Sequence, residues 1–487
     1  MCFLGKERFI MFYGREDILD DMMALWGKRV SSLITCRGRR RIGKSTLVAE
    51  FARKSSARFI RIEGLKPRHG FSNDDELQNF ATFLSLQTDY NGRSHENWAQ
   101  AFKSLDDQID DGGRTVVLLD EISWMGHYDA HFPEVLKIAW DMMLKKHDRL
   151  VLVLCGSVSS WIKDNIIDNS AYLGRRSGDF VIGELPLRDC VKFWGDAAKN
   201  LMPNDILDVL SVTGGVPRYL EEINPALSAN ENIRRMCFTR KSPLREDFDD
   251  MFMDVITSQP SFTGQVLRCL VDGPRSAAEI AGKLGLAKGG NTAAALDRLV
   301  EAGLVARDHG RNPETGRPVR ERRYRLMDNY SRFYLKYIEP VKDVIDAGSY
   351  AFTSLEQLKG VDAILGLSFE NLIVNHYREI LPRLGLSRVL IESAAPFVKR
   401  GNAKAGTQRC QVDLLIQSIQ SCCLVEIKRR KELGDEVISE MRGKLNALSL
   451  PGDVSIRTAL VYDGHLAATV EAAGYFHALI DVRELLF

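Results

Sequence analysis

Gly38-Arg39-Arg40-Arg41-Ile42-Gly43-Lys44-Ser45-Thr46 decides how the rest of this chain is read. Two glycines and a Lys-Ser pair stand at the spacing of a phosphate-binding loop. Ser32-Leu33-Ile34-Thr35-Cys36 before it is short and β-prone, and Leu47-Val48-Ala49-Glu50-Phe51-Ala52 after it reads as a helix. The setting matters because loop amides and a helix N-terminus must converge on one anion. Glycine lets the backbone curl around phosphate where a Cβ would clash. Gly38, Gly43, Lys44, Ser45 and Thr46 are therefore candidate nucleotide-binding residues. Lys44 would reach the terminal phosphates and the Ser45 hydroxyl would ligate Mg²⁺.

Downstream, Val116-Val117-Leu118-Leu119 runs straight into Asp120-Glu121, the pattern of a buried parallel strand ending at a site. Asp120 is a candidate to hold Mg²⁺ through water, and Glu121 to polarise the attacking water. Leu150 to Cys155 reads as the next strand, expected between the loop strand and the Asp120 strand, and it ends at Gly156-Ser157. Ser157 either positions the terminal phosphate or water, or caps the following helix. Asp179 to Ile182 reads as a fifth strand. Arg175 or Arg176, just before it, is a candidate to stabilise transition-state charge, in cis or across a subunit interface; plain solvation is the alternative. Arg58 to Ile62 reads as a further strand, whereas the polar region from Lys66 to about Arg93 yields no assignment. After Phe12-Tyr13-Gly14-Arg15-Glu16, apolar residues at Ile18, Leu19, Met22, Met23 and Leu25 mark a helix. This opening segment either folds over a nucleotide base or packs on the sheet.

Gly38–Thr46, Asp120-Glu121, Cys155-Gly156-Ser157, Gly174-Arg175-Arg176 and Gly214-Gly215-Val216-Pro217 together resemble the prokaryotic ATPase family first described from archaea. That family lies on the AAA+/STAND side of the P-loop NTPases. The resemblance implies an α/β fold: an ASCE-type ATPase core over 1–184 and a helical lid over 185–255, with ATP and Mg²⁺ as cofactors. In STAND-type relatives a Gly-x-Pro of the lid contacts the nucleotide base, so Pro217 is carried over as nucleotide-binding. Gly14-Arg15-Glu16 also resembles the family's opening motif.

From Gln265 the pattern changes. Val266 to Leu270, Ala277 to Leu284 and Thr292 to Ala302 read as three helices, with a turn at Gly285–Gly289. Gly303 to Ala306 and Tyr324 to Leu326 read as two strands of a wing, which makes 256–330 a winged helix. Its third helix offers only Asn291, Thr292 and Arg298 for reading bases. The wing carries Arg307, Arg311, Arg317, Arg320, Arg322, Arg323 and Arg325, which suit phosphate contacts or form a solvated hairpin.

In the remaining segment, 331–487, Phe369-Glu370-Asn371-Leu372-Ile373 opens a helix, and Gln411 to Ile416 and Cys422 to Lys428 read as a hairpin. Pairing about a turn between Ile419 and Gln420 sets Asp413 opposite Glu426. The period of two then puts Glu426 and Lys428 on one face. Opposed carboxylates repel, so a divalent metal would relieve them, and Lys428 would orient or polarise the attacking water. Asp413, Glu426 and Lys428 in this spacing resemble the PD-(D/E)xK nuclease fold, and Glu370 matches the acidic residue such nucleases place on their first helix. Val412 stands where proline is usual. The resemblance implies Glu370, Asp413 and Glu426 as metal ligands and Lys428 as catalytic. Arg429-Arg430-Lys431 with Lys399, Arg400, Lys404 and Arg409 adds a basic surface suited to a polyanion.

Composition sets the outer bounds. At 487 residues the chain is too long for one core. A net charge of +1 gives no global case for nucleic acid or membrane, so any such case is local. Nine scattered cysteines without a C-x-x-C pair read as reduced, cytoplasmic usage. Lys6-Glu7-Arg8 argues against a signal peptide, and the longest apolar runs are strand-sized. The expected partners are ATP and nucleic acid, with no membrane; a protein partner and an oligomer stay open.

Overall fold

A computed structural model describes residues 12–28, 30–109, 112–157, 159–245, 248, 260–286, 290–399, 401, 409–448, 450 and 454–487. Lys6-Glu7-Arg8, the end of the Gly285–Gly289 turn, Arg400 and Lys404 lie outside them. The chain divides into two compact units, Met1–Leu185 with Val216–Arg218, and Pro186–Gly215 with Tyr219–Phe487.

The first unit is built on a parallel five-stranded sheet. Its strands are β1 (Ser32–Arg37), β2 (Arg58–Glu63), β3 (Thr115–Asp120), β4 (Leu150–Gly156) and β5 (Arg176–Val181), in the order β2-β3-β4-β1-β5. β4 thus lies between the loop strand β1 and the Asp120 strand β3. β3 and β4 are buried along their whole length, which is why they read as unbroken apolar runs rather than alternating ones. The helices that cover the sheet include α1 (Glu16–Trp26), α2 (Lys44–Lys54), α3 (Asn73–Gln87), α4 (Trp98–Asp106) and α5 (Phe132–Met142).

α3 occupies the region left without an assignment above. A reciprocal Ser72–Asp75 capping box starts it, and Leu77, Phe80, Ala81 and Leu84 form its buried stripe. The cue was present but short, because Asp74, Asp75 and Glu76 make the first turn acidic and so polar in composition. Phe80 meets Trp98 edge-on at 5.8 Å, and Trp98 meets Phe132 at 4.6 Å, so α3, α4 and α5 share one aromatic core.

The second unit opens with helices that include α6 (Pro203–Thr213) and α7 (Ala229–Cys237). α8 (Pro260–Arg268), α9 (Ala277–Lys283) and α10 (Gly290–Glu301) follow, with a small antiparallel sheet of β6 (Arg275–Ser276), β7 (Val305–Asp308) and β8 (Arg323–Leu326) in the order β6-β8-β7. The last part holds α11 (Val361–Asn375), β9 (Ser393–Lys399), β10 (Cys410–Gln417), β11 (Ser421–Leu433), α12 (Glu436–Ala447), β12 (Ser455–Leu466) and β13 (Ala478–Asp481). These five strands form a mixed sheet, β13-β12-β11-β10-β9, antiparallel from β9 to β11 and parallel from β11 to β13.

Ion pairs fasten these parts into one unit. Arg429 of β11 reaches Asp208 and Ser211 of α6, at 2.5 and 3.1 Å, and Asp463 of β12 at 2.9 Å. Arg311 pairs with Glu392, and Lys399 with Glu314. Arg429 and Lys399, expected above on an open basic surface, are therefore committed inside the unit.

Candidate functional site

The shape of the Gly38–Thr46 loop is set by its glycines and by bonds to its neighbours. Gly38 has φ 152°, and a Cβ there would lie 2.4 Å from the Ile182 carbonyl oxygen, so only glycine fits. Gly43, at φ 85°, precedes α2, and Pro217 stands beside it: a Cβ on Gly43 would approach the proline ring at 3.6 Å. Lys44 is buried and donates from Nζ to the Gly38 and Arg39 carbonyls, at 3.0 and 3.1 Å. Arg15, also buried, donates to the carbonyls of Ile42 (2.7 Å) and Gly183 (3.0 Å). The Gly14-Arg15-Glu16 segment thus fastens the loop by its backbone. Thr46 is half-buried in the first turn of α2.

Opposite the loop, the tips of β2 and β3 gather three carboxylates. Ser45 donates to Asp120 Oδ2 at 2.6 Å. Arg61 pairs with the same oxygen at 2.8 Å and with Glu63 at 2.9 Å. Burial pushes the Glu63 carboxyl up from its usual range, with the charges of Asp120 and Glu121 adding to it and Arg61 opposing. Glu121 has a left-handed backbone, φ 48°, a conformation of the kind kept where a site over-determines it. Its Oε2 accepts from the Ser157 amide at 3.0 Å and from the Ser157 hydroxyl at 2.8 Å. Ser157 therefore orients Glu121, a bond between strand tips that spacing along the chain does not display. A hydroxyl beside a carboxylate is the hard-oxygen pair that suits Mg²⁺, so Ser45 and Asp120 fit the ion.

The two arginines before β5 differ. Arg175 makes a forked bond to Asp141, with contacts of 2.9 to 3.0 Å, and donates to the Ala171 carbonyl at 2.7 Å. That guanidinium holds the Asp141 carboxyl well below the usual carboxylate range. Arg175, one of the two candidates for transition-state charge, is thus bonded to Asp141 in this structure. Arg176 donates to the Ile167 carbonyl at 3.1 Å.

In the second unit the hairpin has the expected register, from Leu414↔Val425 to Gln417↔Cys422. Asp413 comes one step further, where the β9–β10 pairing shifts, and its Oδ2 accepts from the Ile427 amide at 3.0 Å. Burial, then the charge of Glu426, raises the Asp413 carboxyl. Burial, then Asp413, raises Glu370 on α11 to about 7. Glu370, Asp413 and Glu426 therefore sense one another. Lys428 Nζ lies 2.6 Å from Glu426 Oε1 and 3.0 Å from Glu440.

One partner was missed. Lys444 of α12 pairs with Glu426 Oε2 and stands 4.0 Å from Asp413 Oδ1. Both oxygens of Glu426 thus face ammonium groups. Among the described residues no group of three or more His, Cys, Asp or Glu side chains is arranged to hold a metal ion. Glu370, Asp413 and Glu426 as arranged do not fit a metal.

The wing arginines are also sorted by their contacts. Arg307 pairs with Asp297, Arg311 with Glu392 and Arg323 with Glu279, while buried Arg325 bonds Asn371 and Asn375. Arg317, Arg320 and Arg322 remain exposed. On α10, Thr292 is buried and so is removed from base reading, whereas Asn291 is exposed.

Residues 12–223 match the family described as an ATPase domain predominantly from Archaea. This region is similar to an archaeal-type P-loop ATPase domain. A relative, an uncharacterized protein of Methanocaldococcus jannaschii, is 23% identical over 365 residues, covering 74% of this chain and 76% of its own. Among solved structures, the Walker-type ATPase of Pyrococcus abyssi is 17% identical, covering 66% of this chain and 96% of its own, with a TM-score of 0.49. The ORC2 protein of Aeropyrum pernix, solved with ADPNP and ADP, is 15% identical, covering 70% and 96%, with a TM-score of 0.44. Among the described residues no helix is long and apolar enough to cross a membrane.

Proposed function

We propose that ATP binding and hydrolysis by the ATPase domain control how the second unit engages nucleic acid. The observation that carries the reading is the convergence of Lys44, Ser45, Asp120 and Glu121 on one end of the parallel sheet. Mg²⁺, held by Ser45 and through water by Asp120, would neutralise phosphate charge. Lys44 exchanges its loop carbonyls for phosphate oxygens. Glu121, oriented by Ser157, aligns the attacking water and draws on its proton. Arg176 is the arginine left for transition-state charge, because Arg175 is committed to Asp141.

For the second unit, the reading has a winged helix over 256–330 that grips phosphates through Arg317, Arg320 and Arg322 without reading sequence. It has a nuclease-like domain over 331–487, supported by the mixed sheet, by Glu370 on α11, and by the hairpin carrying Asp413, Glu426 and Lys428. Binding without cleavage, to nucleic acid or a protein, is the second reading, and the Lys444–Glu426 pair favours it.

The test is incubation of the full chain with ATP, Mg²⁺ and single-stranded, duplex or branched DNA, or RNA. ATP turnover, binding and cleavage are scored separately. Lys44→Ala is expected to lose about 10²-fold or more in turnover, as when one charge-stabilising donor is removed from a site. Undiminished nucleotide affinity and turnover in folded Lys44→Ala would refute the nucleotide site. Cleavage that Asp413→Ala abolishes, with ATP turnover intact, selects the nuclease reading over the binding one.

A further inference from the structure

We infer that Lys444 is the built-in cation of the C-terminal carboxylate cluster, standing where a divalent metal would otherwise balance Asp413 and Glu426; this deepens, and rests on, the nuclease-like reading of that domain. Two carboxylates brought together across a hairpin repel, and in a buried setting they require a counter-charge. Glu426 is fully buried. Lys428 supplies only part of the balance. It sits 2.6 Å from Glu426 Oε1, and its Nζ is shared with Glu440 at 3.0 Å.

Lys444 supplies the rest. Its Nζ bonds Glu426 Oε2 and faces Asp413 Oδ1 at 4.0 Å, so one ammonium touches one carboxylate and looks at the other. That bridging position is the one a hard cation takes between oxygen ligands. The placement follows from helix geometry. Glu440 and Lys444 are four residues apart on α12, hence on one face, so the turn that presents Glu440 to Lys428 also presents Lys444 to Glu426. An ammonium and a divalent ion at these few ångströms repel in a poorly screened interior, so they exclude one another. With Lys444 in place, the cluster is closed to metal.

The test is Mn²⁺ titration of the nucleotide-free full chain, with free Mn²⁺ read by electron paramagnetic resonance. It compares the wild type, Lys444→Ala and Lys444→Gln, each with and without Asp413→Asn. The glutamine amide can still donate to Glu426, which preserves the fold if alanine does not. Far-ultraviolet circular dichroism and ATP turnover report folding. The wild type is expected to lack an Asp413-dependent Mn²⁺ site. Both Lys444 variants are expected to gain one, binding Mn²⁺ about tenfold or more tighter than their Asp413→Asn counterparts, as removal of a like charge from a buried site allows. An Asp413-dependent site of equal strength in the wild type would overturn the inference. So would the lack of any such site in a folded Lys444 variant. Nucleic-acid cleavage is scored in parallel: a gained Mn²⁺ site with no cleavage in any variant refutes the nuclease reading and supports the role of Lys444.

Discussion

Two acidic sites, one in each unit, hold a basic side chain on a carboxylate where a metal is expected, and they differ in how firmly. Arg61 lies on Asp120 at 2.8 Å with its own side chain 42% exposed, while the Asp120 carboxylate is only 4% exposed. Lys444 lies on Glu426 with its own side chain 17% exposed and the carboxylate wholly buried. An arginine on an exposed arm regains water when it leaves, and the buried Asp120 it leaves behind still accepts from the Ser45 hydroxyl. A lysine leaving a fully buried glutamate strands a charge that nothing solvates. The first arrangement is permissive toward exchange and the second is latched. The same elements of chemistry, carboxylate plus cation, therefore differ between the units in how readily the cation can leave.

The largest test of this contrast is catalytic. Glu121→Gln keeps the shape and one hydrogen bond with Ser157 but removes the base, so ATP turnover should fall by about 10²–10⁴ while nucleotide binding persists. Normal turnover would move water activation to another residue. Next comes stability at the latched site. Lys444→Ala should cost about 3 kcal/mol in chemical denaturation of the second unit, because it leaves Glu426 buried with Lys428 alone. A loss near zero would mean that Lys428 suffices and no latch exists.

Acidity gives a third test. Glu370 is pushed up to about 7, first by burial and then by Asp413, so the folded state keeps a proton that the unfolded state has already released. The folded state binds more protons across the window from about 4.5 to 7, and stability is lost as pH rises through it, by up to about 1.4 kcal/mol per pH unit for one group. Glu370→Gln should remove that loss and raise the thermal midpoint relative to wild type above the window but not below it. Equal midpoints on both sides would mean that Glu370 is not held protonated. A fourth test concerns the wing: replacing Arg317, Arg320 and Arg322 by glutamine should flatten the salt dependence of nucleic-acid binding by roughly one unit of log–log slope per lost phosphate contact. An unchanged slope would reduce the wing to a solvated hairpin.

How much of this was legible in the sequence follows from the range of the interactions. The loop Gly38–Thr46 and the Val116–Glu121 run declare themselves because their parts are contiguous. The hairpin register was legible because Ile419 and Gln420 fix its turn, and the ladder from Leu414↔Val425 follows. The pairs that set behaviour are between elements. Arg61 meets Asp120 across neighbouring parallel strands, Ser157 meets Glu121 from the tip of β4, and Arg175 turns back to Asp141. Lys444 belongs to no motif in the sequence. Only the packing of α12 against β10 and β11 brings it to Glu426, and no local pattern encodes that packing. The wing arginines failed in the opposite direction. Their number is plain in the sequence, but four of the seven are taken by partners on other elements.

The smallest expected effect is the sharpest check on the comparison. Arg61→Ala removes a cation from Asp120, as Lys444→Ala removes one from Glu426, and a simple count of ion pairs would rank the two alike. Exposure ranks them differently. Water can take the place of the Arg61 guanidinium, and Asp120 keeps its bond from Ser45 at 2.6 Å, so no carboxylate is left stranded. The loss in stability should be smaller than for Lys444→Ala, because the exposed guanidinium is already partly hydrated and the buried Asp120 carboxylate keeps the Ser45 hydroxyl. Removing a competitor from the Asp120 oxygen should also tighten, or leave unchanged, the Mg²⁺ requirement for ATP hydrolysis. Denaturation of Arg61→Ala beside Lys444→Ala, with a Mg²⁺ titration of turnover, measures both. A loss for Arg61→Ala as large as that for Lys444→Ala would erase the distinction between the two sites. A markedly weaker Mg²⁺ response would make Arg61 part of the catalytic apparatus rather than a cation that yields to it.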